Sequence, residues 1–295
     1  IRAWRLSGKH DYLNRAVYLA DYVLDGWDCW RDAAGNEYGG ITWGPGYNSK
    51  HACSNAPMIQ PLVWLAEIYA DNNETTVYNY RDAYNKPVSE LRRRSEIYLD
   101  FAVRIFDWQH RTLAHPTGVY HDMIGAVQAE VVYADGYRRH VDTGKPVGEF
   151  FPYNTGTMIS GAADLMRATG DKSYAGRIDL STDASLDRFC RYNPLISAYV
   201  FTTDAKATSG FRTWFNNVLL RGLVDAEKYC GTSACAVILN GAQTALDYAF
   251  ENNLRDGFLP VNLIDGWGDE TVTKPFHQFA FASEYAVLAQ RLLKQ

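Results

Sequence analysis

The sequence predicts an all-α protein, and three observations carry that reading. Apolar residues recur at the roughly 3.6-residue helical period in stretch after stretch. Alternating, strand-like patterns are nearly absent, apart from "AYVFTT" at 198–203. The periodic stretches are joined alternately by short glycine-bearing turns and by long segments that hold most of the Gly, Trp, His and Asp.

Taken in order, Ile1, Ala3, Trp4 and Leu6 read as the end of an amphipathic helix, which implies residues upstream of Ile1. Leu13, Ala16, Val17, Ala20, Val23 and Leu24 mark the next apolar stripe. Met58, Leu62, Leu65, Ala66 and Tyr69 follow, with Pro57 and Pro61 tolerated near the helix start. A third stripe runs Leu91, Tyr98, Phe101, Ala102, Ile105 and Phe106, and a fourth Met158, Ala162, Leu165, Met166 and Thr169. Phe215, Val218, Leu219 and Leu223 give a fifth. Ala242, Ala245, Leu246, Ala249 and Phe250 give a sixth, and Phe281, Tyr285, Leu288 and Leu292 the last.

Two connectors share one plan. In "RLSGKHDYLNRA" (5–16) and "RATGDKSYAGRI" (167–178) a helix ends, Gly8 or Gly170 supplies a left-handed cap, and a polar turn leads to Tyr12 or Tyr174. Short connectors make antiparallel neighbours. The long segments 26–56 and 107–153 then lie at the opposite helix ends, where function is expected. No linker or low-complexity tract divides the chain, so residues 1–295 read as one domain.

Composition excludes several classes. A net charge of -5 argues against nucleic acid or an anionic membrane as partner. No apolar run approaches the roughly 20 residues of a membrane span. There is no GxSxG, no phosphate loop and no strand-borne GxGxxG. The cysteines, at 29, 53, 190, 230 and 235, show no zinc spacing; Cys230 and Cys235 either bridge across "CGTSAC" or stay free thiols. His121 has no histidine partner at ligand spacing, so neither a metal nor another cofactor is expected. The 20 Tyr, 8 Trp and 13 Phe fit either a thick helical core or a surface that stacks on sugar rings.

The candidate binding residues sit in the long loops. In "EYGGITW" (37–43), Gly39 and Gly40 permit positive φ and close backbone approach to a ligand; Trp43 either projects from the turn or folds back over helix ends. In "SKHACSNAP" (49–57), Asn55 suits an N-cap before Pro57, whereas Lys50 is unexplained by capping. "GVYHDMIG" (118–125) holds Asp122 in a glycine-flanked position, and "FFPYNTGTMISGA" (150–162) puts Tyr153 and Asn154 at a helix mouth. "DGWGDET" (265–271) offers Trp267 beside Asp265, Asp269 and Glu270, acids that are ordinarily solvated on a loop.

In this order the loops resemble glycoside hydrolase family 76, the endo-α-1,6-mannanases and their relatives, over most of the chain. Gly39, Gly40, Ile41 and Trp43 resemble the family's Gly-Gly-Ile-x-Trp element, and Lys50, Asn55 and Ala56 its Lys-(several)-Asn-Ala element. Gly118 to Asp122 resembles its Gly-Leu-Val-x-Asp segment, and Tyr153, Asn154, Thr155 and Gly156 its Tyr-Asn-Gln-Gly helix entry. The resemblance implies an (α/α)6 barrel whose first helices precede this chain. It implies cleavage of α-1,6-mannan with retention, by an aspartate pair about 5–5.5 Å apart, one carboxylate as nucleophile and one as acid and base.

The chain departs from that pattern where it matters most. The family's consecutive Asp-Asp pair occurs nowhere in these residues and is expected shortly upstream of Ile1. No catalytic residue is therefore assigned. Thr155 replaces the family's Gln, and Met123 replaces its Gly after the aspartate. The expected sugar cradle is Trp43 and Trp267 for stacking, with Lys50, Asn55, Asp122, Tyr153 and Asn154 as polar contacts. From the substrate class, an exported monomer acting on mannan or manno-oligosaccharide is expected. Other readings are an epimerase using His121 and His277, an unsaturated-uronide hydrolase, a non-catalytic glycan-binding protein, and a transglycosylase.

Overall fold

The computed structural model describes residues 1–44, 47, 49–125, 145, 146, 148–202, 211–268 and 274–293. Its contacts group into two compact units: 1–114, 120–149 and 167–171 form one, and 115–119, 150–166 and 172–295 the other.

In the first unit α1 (Arg2–Ser7) stops at Gly8, whose φ of 69° lets its N–H reach the Trp4 carbonyl. A side chain at Gly8 would meet nothing, so the left-handed backbone alone calls for glycine. The chain reverses into α2 (His10–Leu24), which buries Leu13, Ala20 and Leu24 as the stripe predicts. After the long loop come a two-residue strand β1 (Lys50–His51), the short α3 (Ala52–Asn55), a 3-10 turn over Ala56–Met58 and α4 (Ile59–Ile68). The fully buried Ile59, Leu62, Val63 and Leu65 of α4 pack against α5 (Arg94–Leu113), which contributes Tyr98, Phe101, Ala102, Ile105 and Phe106.

Between α4 and α5 the structure departs from the sequence reading. Leu91 opens no helix; it lies in an antiparallel hairpin, β2 (Thr75–Arg81) with β3 (Pro87–Arg93), registered from Thr75↔Arg93 to Arg81↔Pro87. Asn85, at φ 60°, makes the turn. The hairpin escapes a search for apolar alternation because its outer face carries the apolar Val77 and Leu91, the latter 71% exposed. Its inner face carries tyrosines instead: Tyr78 stacks on Tyr80 and meets Phe101 of α5 edge-on. A last short strand, β4 (Met123–Ile124), pairs antiparallel with β1.

The second unit is built on α6 (Pro152–Thr169), α7 (Ser173–Phe189), α8 (Phe211–Ala226), α9 (Ala234–Asn252) and α10 (Pro275–Leu292). Gly170, at φ 74°, ends α6 as its sequence twin Gly8 ends α1. A Cβ on Gly156 would strike the α8 backbone at Leu219, and one on Gly222 would strike the Gly156 carbonyl, so two glycines set how closely α6 and α8 approach. The "AYVFTT" strand is real over Ala198–Phe201 (β6) and pairs with Cys190–Asn193 (β5). All five cysteines are free thiols; Cys230 and Cys235 bond to the carbonyls of Ala226 and Leu223. No described helix is long and apolar enough to cross a membrane.

Candidate functional site

The "EYGGITW" loop is held from beneath by buried polar side chains. Gly39 and Gly40 have φ of 70° and 81°, and a Cβ on Gly40 would run into the indole of Trp108. The close approach these glycines allow is thus to a ring of α5, where the sequence suggested a ligand. Main-chain bonds from Asp28 N–H to Gly40 O (3.0 Å) and from Gly39 N–H to Asp28 O (2.9 Å) tie the turn to the chain after α2.

Lys50 and Asn55 complete that support. The Lys50 ammonium, 3% exposed, donates to Asp28 Oδ2 at 2.7 Å and to the Gly39 carbonyl at 2.6 Å. Burial lowers its pKa, and the Asp28 carboxylate pulls it back up. Asn55 is fully buried: its Oδ1 accepts the Ile41 N–H at 2.7 Å, and its Nδ2 donates to the carbonyls of Ile41 (3.0 Å) and His51 (2.8 Å). Asn55 does precede the 3-10 turn, but its side chain makes no capping bond. It pairs with both main-chain groups of Ile41 as a neighbouring strand would.

From this fixed base Trp43 emerges. Its N–H bonds to the Ser49 carbonyl (2.8 Å), and the residue is 49% exposed. The ring rests on the His51 imidazole with centroids 4.4 Å apart and planes at 33°. His51 is buried, and its Nε2 finds no hydrogen-bond partner among the described residues. The β1–β4 ladder, with His51 opposite Met123, and the bond from Ala52 N–H to Asp122 O (2.8 Å) bring Asp122 to the same loop. Burial lowers the His51 pKa, and the nearby Asp122 charge opposes it. Met123, where the family resemblance leads one to expect glycine, is buried in this ladder.

Four predicted residues, Trp43, Lys50, Asn55 and Asp122, therefore meet in the first unit. Tyr153, Asn154 and Trp267 belong to the second. Tyr153 stacks on Phe151 and packs against Phe215, while Asn154 and Thr155 are fully buried at the start of α6. Trp267 donates its indole N–H to the Asn253 carbonyl at 2.8 Å, and Arg255 lies 5.0 Å from its ring centre. Asp269 and Glu270 lie outside the described residues. Sequence reasoning passed over His51, Asp28 and Trp108, the floor and ties of the Trp43 loop. Nothing in "SKHAC" distinguishes His51 until β1 and β4 pair. Among the described residues, no group of three or more His, Cys, Asp or Glu side chains is placed to hold a metal ion.

The model of glycosyl hydrolase family 76 matches residues 89–253, more than half of the chain. The chain belongs to glycosyl hydrolase family 76. Solved structures agree on the fold. An inactive variant of the Salegentibacter α-1,6-mannanase, altered at two adjacent aspartates and bound to α-1,6-mannotetrose, shares 20% identity. The match covers 99% of this chain and 72% of that one, with a TM-score of 0.68. A family 76 mannosidase from Bacteroides thetaiotaomicron is 17% identical over 98% and 68% of the two chains, with a TM-score of 0.65. A Listeria innocua protein is 19% identical over 100% and 70%, with a TM-score of 0.67. No curated protein sequence matches. The family 76 fold is the (α/α)6 class, in keeping with the helical pairs and few small sheets seen here. Membership places the chain among glycoside hydrolases.

Proposed function

We propose that this family 76 chain serves the endo-acting hydrolysis of α-1,6-linked mannan, and that the Trp43 loop is a sugar-binding element of that reaction. One observation carries the reading. A half-exposed indole, backed by a buried imidazole, stands on a loop that the buried Lys50 and Asn55 hold from beneath. An indole face suits the C–H face of a pyranose, and a rigid support keeps the ordering cost of binding low. Asp122, half-buried beside the same loop, supplies an acceptor for sugar hydroxyls. Lys50 and Asn55 act through the loop they hold, without touching sugar. The two adjacent aspartates of the mannanase relative have no counterpart pair in these residues, so no catalytic acid is assigned here. The proposed setting is an exported protein acting on mannan.

The test is calorimetric titration with α-1,6-mannotetraose. Trp43→Ala should weaken binding about tenfold or more in a variant that still folds, since half of the ring is at the surface. Unchanged affinity in a folded variant would remove Trp43 from the site. An assay of mannan hydrolysis tests the reaction itself; transfer to an added acceptor sugar in place of release to water would make it a transglycosylase.

A further inference from the structure

The second unit contains a cavity of about 580 Å³ that the Trp43 reading does not use. Helices α8, α9 and α10 wall it, and the β5–β6 hairpin and the 261–265 loop border it. Glu284 of α10 lines it and is 3% exposed, yet its Oε1 finds no hydrogen-bond partner among the described residues. A buried carboxyl oxygen without a partner is costly, and proteins rarely retain one without a use. Burial alone pushes this carboxyl up to about 8, so at neutral pH it is an uncharged group that both donates and accepts.

The remaining lining indicates the ligand. Asn193, Thr202, Asn216 and Asp265 present amide, hydroxyl and carboxylate groups. Phe201, Ala242 and Phe281 add apolar surface. Two arginines lie at the border, but neither is poised for an anion: Arg191 donates to the carbonyls of Asp187 and Cys190, both at 2.6 Å, and Arg188 sits over the Phe150 ring. Hydroxyl-seeking groups around an apolar floor, with a neutral acid and border arginines turned to backbone carbonyls and an aromatic ring, suit an uncharged polyhydroxylated ring. The volume exceeds what one such ring occupies, so a ring joined to further sugar fits as well.

We propose that this cavity of the second unit is a carbohydrate site in its own right, which takes an uncharged hexopyranose residue with the Glu284 carboxyl exchanging hydrogen bonds with its hydroxyls.

Saturation-transfer NMR with the methyl glycosides of mannose, glucose and galactose tests this on the protein and four variants. At least one glycoside should bind the wild type. Glu284→Gln, which keeps a donor and an acceptor, should hold affinity within about twofold, whereas Glu284→Leu should lose about tenfold. Trp43→Ala, which removes the first unit's platform, should still bind at least one glycoside, and adding Ala242→Phe, which fills the cavity from α9, should abolish that binding. Melting curves establish that each variant folds; if Glu284→Leu does not, Ala242→Phe and Glu284→Gln still decide. No binding of any glycoside to the wild type would overturn the proposal, as would binding to Trp43→Ala that survives the added Ala242→Phe. Signal lost in Trp43→Ala but kept in the cavity variants would assign the sugar to the first unit alone and leave the proposed function standing.

Discussion

Lys50 and Glu284 are equally hidden, each 3% exposed, yet the two units treat them in opposite ways. Lys50 finds a carboxylate and a carbonyl at hydrogen-bond distance, one from Asp28 and one from Gly39 of the loop it supports. Glu284 finds nothing for Oε1 among the described residues and meets burial by holding its proton. The contrast separates two uses of a buried polar group. A satisfied one is scaffolding: it fixes a loop so that a neighbour, here Trp43, stands ready. An unsatisfied one facing a cavity weakens the fold and favours whatever hydrogen-bonds to it.

The largest effect is expected where satisfaction is broken. Lys50→Met keeps the apolar stem but leaves the Asp28 carboxylate buried without its cation, which should cost about 3–5 kcal/mol in denaturant unfolding. Adding Asp28→Asn should recover part of that loss, because the orphaned charge then disappears. A cost under about 1 kcal/mol for the single variant would mean that the pair is no tie at all, and the contrast with Glu284 would collapse.

The opposite sign is expected at Glu284. Its carboxyl titrates near 4.5 in the unfolded chain and near 8 in the fold. The stability it contributes is therefore fully present below about pH 4.5, falls as the pH rises, and is gone above about pH 8. Glu284→Gln does not titrate. It should match the wild type near pH 4.5 and be more stable by pH 8, by on the order of 2–4 kcal/mol. Parallel stability curves across that window would show that the carboxyl already has a partner.

Asn55→Ala removes the acceptor for the Ile41 N–H and the donors to the Ile41 and His51 carbonyls, all in a fully buried place. Roughly 2–3 kcal/mol of stability should go with them. Asn55→Asp restores the acceptor only and should recover little. Both variants should also weaken mannotetraose binding, since the loop below Trp43 loosens; intact binding in a destabilised protein would detach the platform from its support.

The helical order was legible because the 3.6-residue period and the Gly8 and Gly170 caps are local signals, repeated in the chain. The hairpin after α4 was not, because its buried face is tyrosine and its apolar residues point outward. At the site, residue types were legible and their directions were not. Lys50 and Asn55 belong to the right loop, but whether a polar side chain turns toward ligand or backbone depends on Asp28 and Ile41, one 22 and one 14 positions away. Glu284 did leave a trace: it lies between Phe281 and Leu288 on the apolar stripe of α10, a place where an acid is out of keeping.

His51 tests the boundary between the two uses and carries the smallest expected effect. Its ring is satisfied as a surface, stacked beneath Trp43, and unsatisfied as a base, since Nε2 has no partner among the described residues. Burial holds its pKa below the ordinary 6.5, against the pull of Asp122. The stability it contributes is thus present above pH 6.5 and declines as the pH falls toward the lowered folded value. His51→Phe keeps the stack and removes the titration. Above neutrality it should differ from the wild type by less than about 1 kcal/mol, and it should gain on the wild type as the solution is acidified. If mannotetraose binding weakens in this variant with stability unchanged, Nε2 is a ligand contact and belongs with Glu284. If binding is unmoved, the imidazole is only the floor of the Trp43 platform and belongs with Lys50.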